Sequence, residues 1–186
     1  MSKTAKFKSF ILCTLFIAAL VALDQYTKSL AVRYLMGKED LPIIKDVLVL
    51  RFLEGGNRGG AFGILYGHRY FFLAVSLIFI LIMAYLLIRL PATKKYTILK
   101  FFICLITAGA IGNFIDRLKT GSVVDFIYII YINFPIFNVA DIYVTVSSFA
   151  LAILILFVYK EDDLNMKKAN DPKLHLHSSM IKEEDE

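Results

Sequence analysis

The chain is poor in the residues that hold small extracellular folds and metal centres together. Among its 186 residues there are two cysteines, Cys13 and Cys104, and three histidines. Two cysteines near the same ends of apolar segments indicate reduced structural thiols, with no disulfide and no metal site. His175 and His177 sit in a charged tail, residues 161–186, with the composition of a solvated, disordered segment. The apolar part contains no serine–histidine pair and no cluster of histidines or cysteines for nucleophilic or metal chemistry. There is no internal repeat and no inverted similarity between halves. Acids are absent from two basic segments: residues 1–8, with Lys3, Lys6 and Lys8, and the segment with Arg89, Lys94, Lys95 and Lys100.

The sequence is rich in long apolar runs, and 58% of its residues are hydrophobic. Runs at 9–23, 70–90, 98–115 and 142–159 each approach the ~20 residues that cross a hydrocarbon core. The first continues helically through "DQYTKSLAVRYL". The expected fold is an all-α membrane protein of four transmembrane helices, with spans at about 9–35, 70–90, 98–117 and 139–159 in a unit covering residues 1–160. Residues 41–65 and 122–136 are expected to form a small β-rich extracytoplasmic platform.

The net charge of +5 is spread asymmetrically. The acid-free basic segments put both termini and the connection between spans two and three in the cytoplasm. This pattern suits a membrane and argues against nucleic acid as partner. A basic start followed by an apolar run also fits a cleavable signal peptide, but Asp24 follows "AALVAL" directly and the small-residue cleavage pattern is missing. The first segment is read as an uncleaved span.

With that orientation, the unusual polar residues of four segments meet at the outer side. Asp24 and Lys28 are spaced for a helical i, i+4 ion pair. Asn57, Gly59, Gly60 and Gly63 lie in "NRGGAFG", where glycines permit tight turns and close backbone approach. In "GNFIDR", Gly112 permits close helix packing, Asn113 and Asp116 share a helix face, and Arg117 is the expected counter-ion that keeps Asp116 ionised and structural. Asp125 and Asp141 differ from these. The stretch from Gly121 to Tyr159 contains no lysine or arginine, and an ionised carboxylate in such a setting is costly. Asn138 precedes Asp141 by three residues. Two carboxyl groups sharing a partly dry site do not both ionise easily, so one serves as general acid while the other serves as general base.

The blocks "DQYTK" at 24–28, "NRGGAFG" at 57–63, "GAIGNFIDR" at 109–117, "VVDF" at 123–126 and "FNVAD" at 137–141 occur in that order on a four-span chain. In this the sequence resembles the lipoprotein signal peptidase (signal peptidase II) family, intramembrane aspartic endopeptidases of bacteria, over roughly residues 8–160. The resemblance implies a catalytic pair at Asp125 and Asp141. It implies supporting or substrate-contacting roles for Asp24, Lys28, Asn57, Gly59, Gly60, Asn113, Arg117 and Asn138, and a structural acid at Asp116. It implies no cofactor and no metal. The implied substrates are prolipoproteins whose lipobox cysteine carries a diacylglyceryl group, cut on the N-terminal side of that cysteine. The implied setting is the bacterial cytoplasmic membrane, with membrane lipid around a monomer and globomycin-type inhibitors as ligands. Ala108 stands where the family often has glycine, and Val144 where isoleucine is usual.

Two other functions suit a small polytopic chain with buried acids. A proton-coupled transporter needs a pathway to both faces and broken helices near the midplane, whereas the acids here crowd one face. A non-catalytic assembly factor for lipidated partners needs no unpaired aspartates.

The orientation is testable on intact cells. Single cysteines introduced at 41–65 are expected to react with a membrane-impermeant thiol reagent, and those at 91–97 to be protected. The reverse labelling pattern contradicts the assignment.

Overall fold

The structure, a computed structural model, describes residues 3–59, 67–159 and 163. Gly60, Gly63, His175, His177 and nearly all of the tail therefore lie outside the described residues. The elements in order are α1 (Lys3–Leu35), β1 (Leu41–Ile44), β2 (Leu48–Leu50), α2 (Arg69–Arg89), α3 (Thr97–Thr120), β3 (Ile127–Ile129) and α4 (Val139–Ile153). A short 3₁₀ turn leads into α3, another follows β3, and a π turn over Leu154–Val158 prolongs α4.

Four helical segments are long and apolar enough to cross a membrane: Thr4–Leu35, Arg69–Arg89, Lys94–Thr120 and Val139–Val158. The protein is a multi-pass membrane protein, all-α in its spans, with a small antiparallel sheet. The α2 helix is apolar all round and has no buried residue, as expected of a helix whose solvent is lipid. The α3 helix is the opposite case. It packs against each of the other three and buries Leu99, Ile103, Ile106 and Ala108 among others. With lipid outside, burial of apolar area does not by itself draw helices together. Close packing and polar contacts must do so.

The packing shows how. A side-chain carbon built on Gly109 would stand 2.5 Å from the Ala140 carbonyl oxygen and 2.8 Å from Val144 Cγ2. One built on Gly112 would run into the Asp24 carboxylate. These two glycines, one helical turn apart, let α3 meet both the start of α4 and the polar part of α1. The α3 helix stops at Gly121, whose φ of 81° lies in the left-handed region and whose N–H reaches the Arg117 carbonyl. The α4 helix starts with a capping box: the Asn138 side chain accepts from the Asp141 N–H, and the Asp141 side chain accepts from the Asn138 N–H.

The sheet runs β1-β2-β3, antiparallel throughout. Leu48 pairs with Ile129 and Leu50 with Ile127. A cluster of Ala31, Leu35 and Phe126, with Leu50, Phe52, Val124, Ile127 and Val139 around it, seats this platform on the C-terminal end of α1. A second cluster of Leu90, Tyr96, Leu99, Ile103, Leu154 and Tyr159 closes the far end of the bundle.

Gly109→Val is expected to lower stability by about 1–3 kcal/mol or more, because the obstructing atom is backbone and cannot rotate away. Thermal unfolding of the purified variant in detergent checks this. An unchanged melting temperature would mean that the helices do not approach this closely.

Candidate active site

Four acids and one lysine come together where the C-terminal half of α1, the end of α3, the start of α4 and the 121–138 connection meet. Lys28 is almost fully buried, and its ammonium group has three acceptors. It lies 2.9 Å from Asp24 Oδ2 and 2.9 Å from Asp116 Oδ2, and donates to Asn113 Oδ1 at 2.9 Å. Three N–H donors meet three oxygens, so the buried charge is fully bonded.

Asp24 has no exposed surface. Its second oxygen accepts the Ala140 N–H at 3.0 Å, in the first turn of α4, where the helix dipole favours a negative charge. Asp116 accepts from Gln25 Nε2 at 2.8 Å and from the Val124 N–H at 3.2 Å. The expected counter-ion of Asp116 is corrected here: Lys28 holds it, and Arg117 does not. Adjacent residues on a helix diverge by about 100°, so Asp116 and Arg117 face different neighbours. Arg117 turns toward the loop after β2. It donates to the Gly59 carbonyl at 3.1 Å and lies over the Phe72 ring at 4.9 Å from the centroid.

Asp125 and Asp141 have a different environment. Among the described residues, neither forms an ion pair with a lysine or arginine. Their four oxygens are held by neutral donors. Asp125 Oδ1 accepts from Asn138 Nδ2 at 2.6 Å, and Oδ2 from Asn57 Nδ2 at 2.9 Å. Asp141 Oδ1 accepts from Asn113 Nδ2 at 2.8 Å, and Oδ2 from the Asn138 N–H at 3.1 Å.

Each asparagine is oriented by its other contacts. Lysine can only donate, so the Asn113 oxygen faces Lys28 and its NH₂ must face Asp141. The Asn138 oxygen accepts the Asp141 N–H at 3.0 Å, which directs its NH₂ to Asp125 and to Asn113 Oδ1. The Asn57 oxygen accepts the Gly59 N–H at 3.0 Å, which leaves its NH₂ for Asp125.

The backbone around Asp125 is equally constrained. Its carbonyl accepts from the Leu53 N–H, the Val123 and Asn57 backbones exchange two bonds, and Phe126 and Ile127 both donate to Phe137. Residues 123–127 thus lie between the 51–57 segment and Phe137. Gly56 makes the turn that permits it: its φ is 66°, and a side chain there would meet Ser122 Oγ at 2.5 Å.

Asp125 and Asp141 line one cavity of about 670 Å³, together with Asn57, Asn113 and Arg117. Leu53, Val123, Phe134, Phe137 and Val144 make its apolar wall. Burial raises the Asp125 carboxyl from its ordinary 3.8 to about 6, and the neighbouring charge of Asp141 pushes the same way. The Asn57 and Asn138 bonds oppose this without cancelling it.

The structure therefore brings Asp24, Lys28, Asn57, Gly59, Asn113, Asp116, Arg117, Asp125, Asn138 and Asp141 into one connected region, while Gly60 lies outside the described residues. Sequence reading did not single out Gln25 or Thr145. Gln25 bridges Asp24, Asp116 and the Gly112 carbonyl, and its place beside Asp24 was the available signal. Thr145 lines the cavity one helical turn after Asp141, on the same face.

Comparison with known proteins agrees with this geometry. The family model described as signal peptidase (SPase) II matches residues 16–157. The chain is similar to the lipoprotein signal peptidase of Brevibacillus brevis, 41% identical over 148 residues, spanning 80% of this chain and 95% of that protein. It is also similar to that of Clostridium tetani, 40% identical over 151 residues, spanning 80% and 92%. A solved bacterial membrane enzyme structure superposes with a TM-score of 0.67 at 32% identity, covering 86% of this chain and 93% of that one. On sequence and on fold, the chain belongs to the signal peptidase II family.

Proposed function

We propose that this protein removes the signal peptide from diacylglyceryl-modified prolipoproteins, and that Asp125 and Asp141 are its catalytic pair. One observation carries the assignment of the pair. Of the four acids at this level, Asp24 and Asp116 share Lys28, whereas Asp125 and Asp141 face the cavity with amide and backbone donors alone. A carboxylate paired with a buried cation stays ionised. Two carboxylates that bond no cation directly, in a shared site, hold a proton between them.

The chemistry follows from one shared proton. The ionised carboxylate takes a proton from water as the water oxygen attacks the scissile carbonyl carbon. The protonated carboxyl donates to the carbonyl oxygen, giving a neutral tetrahedral intermediate. The proton gained from water then passes to the leaving nitrogen, the C–N bond breaks, and the second carboxyl recovers its proton as the new acid forms. The asparagines contribute by position. They hold both carboxylates in place without adding a charge that would ionise them permanently.

The cavity suits the substrate. Its polar floor takes a peptide backbone, and its apolar walls take the adjoining acyl chains. Arg117, tied to Gly59, braces the loop that carries Asn57 against α3. In the membrane, the site lies toward the outer face with both termini cytoplasmic, where the C-terminal end of a signal peptide helix arrives. Globomycin-type cyclic peptides fit the same cavity as inhibitors, and the unit acts as a monomer. A transport function gains no support from the middle of α3. From Phe101 to Gly112 it reads FFICLITAGAIG, with no acid or basic residue.

Asp125→Asn and Asp141→Asn are each expected to lower turnover on the order of 10²–10⁴-fold while the protein stays folded. The double variant should be little worse, since residues acting as a unit are not additive. Product mass mapping with lipidated prolipoprotein measures this, and near-normal cleavage by either single variant rejects the pair. Asp116→Asn is expected chiefly to lower the yield of folded protein.

The raised carboxyl of Asp125 also predicts a stability trend. Between pH ~4 and ~6 the folded protein holds a proton that the unfolded chain has lost, so stability falls as pH rises through that window. From 3.8 to about 6 the loss is roughly 3 kcal/mol. Asp125→Asn is expected to lack this loss when melting is followed against pH.

A further inference from the structure

At the other end of the bundle, a second cavity of about 550 Å³ lies between the start of α1 and the start of α3. Some 13 residues of α3 separate Lys100 from Asn113, about 20 Å along the helix, so this cavity is distinct from the peptidase site. Three lysines line it, Lys8, Lys94 and Lys100, and among the described residues no aspartate or glutamate does. Lys100 is 8% exposed, and its ammonium donates to the neutral Ser9 Oγ at 2.8 Å. Lys6 stands near enough to add its positive charge. Thr93 Oγ1, also in the lining, is buried and has no hydrogen-bond partner among the described residues. Contrast Lys28, whose buried charge meets two carboxylates and an amide oxygen. Among the described residues, the donors at the Lys100 end of the bundle are three lysines and the Thr93 hydroxyl, with the Cys13 and Cys104 thiols beside Lys100.

We propose that this cavity binds the phosphate group of an anionic phospholipid. A buried ammonium whose neighbours are a hydroxyl and two thiols is costly, and a phosphate oxygen supplies a further acceptor and a full negative charge. Lys8 and Lys94, both exposed at the rim, add their charges, and Thr93 Oγ1 supplies a hydroxyl donor. The apolar part of the lining decides between a lipid and a free anion. Leu12, Phe16 and Phe101 continue from the polar end along the α1–α3 groove. Leu12 and Phe101 are exposed on the outside of the bundle, and the Phe16 and Phe101 rings stack at 5.5 Å. A head group at the lysines thus places its acyl chains on an apolar surface that is already lipid-facing. Basic pockets between spans at the membrane boundary take anionic head groups in this way.

The test is native mass spectrometry of the purified full chain titrated separately with phosphatidylglycerol, phosphatidylcholine and inorganic phosphate. The expected result is retention of phosphatidylglycerol at least tenfold tighter than phosphatidylcholine, with inorganic phosphate much weaker than either the intact site or its variants bind the anionic lipid. Lys8→Gln and Lys94→Gln change exposed residues and leave folding intact. Each should weaken phosphatidylglycerol binding about fivefold, and Lys100→Gln by more. Cleavage of lipidated substrate in detergent should be unchanged in Lys8→Gln and Lys94→Gln. Equal retention of the two lipids, or binding indifferent to all three lysine changes, overturns the proposal. Inorganic phosphate binding as tightly as phosphatidylglycerol overturns the lipid assignment, since the acyl groove would then contribute nothing.

Discussion

The buried ammonium of Lys28 is the constraint on which the rest of the site depends. A lysine taken out of water needs partners for its charge and for three N–H bonds. It finds them on α1 itself, at Asp24, and on α3, at Asn113 and Asp116. Leaving any one of them unpaired in this setting would be costly. The two helices are thus held at one depth and one rotation. Asp24 carries the constraint on to α4 through the Ala140 N–H, and Asp116 carries it to the 121–138 connection through the Val124 N–H. One cation thereby positions three helices and a loop.

What the lysine does to the chemistry is indirect. It faces the oxygen of Asn113, and so turns the Asn113 NH₂ toward Asp141. It also leaves that oxygen to accept from Asn138, whose NH₂ reaches Asp125. The Lys28 ammonium bonds Asp24 and Asp116 directly, and it reaches the cavity through oriented amides and as a weaker electrostatic pull on Asp125. This separation allows acids bonded to a lysine and acids bonded to neutral donors to sit within one small region. The close approach that makes it possible is steric: Gly109 and Gly112 bring the α3 backbone against α4 and the Asp24 carboxylate.

Much of this was legible in the residues. Apolar runs of membrane-spanning length gave the helices, because in lipid every backbone group must be bonded within its own element. The i, i+4 spacing of Asp24 and Lys28 gave their pairing, and the lack of nearby cations set Asp125 and Asp141 apart. The β-rich platform was readable as two regions, 41–65 and 122–136, and its three short strands fall within them. Pairing across distant segments was not legible. Arg117 sits beside Asp116 in sequence, and only the helix geometry and the arrival of α1 show that Lys28 is the true partner. The distant acceptors of Gln25 were hidden for the same reason, since they lie 87 and 91 residues away. Which way each asparagine points depends on three-dimensional neighbours, and no local pattern encodes it.

The central claim is that Asp125 and Asp141 hold one proton between them while Asp24 and Asp116 are bonded to Lys28. The infrared carboxyl stretch of the folded protein tests it directly. At about pH 5, below the value of about 6 for Asp125, the account predicts a protonated-carboxyl band in the wild type. The Asp125 component of that band should be lost in Asp125→Asn, and in Asp141→Asn it should titrate at lower pH, because the Asp141 charge adds to the burial that raises the Asp125 carboxyl. It should persist in Asp116→Asn. A band unchanged in both Asp125→Asn and Asp141→Asn, or lost in Asp116→Asn, would contradict the account.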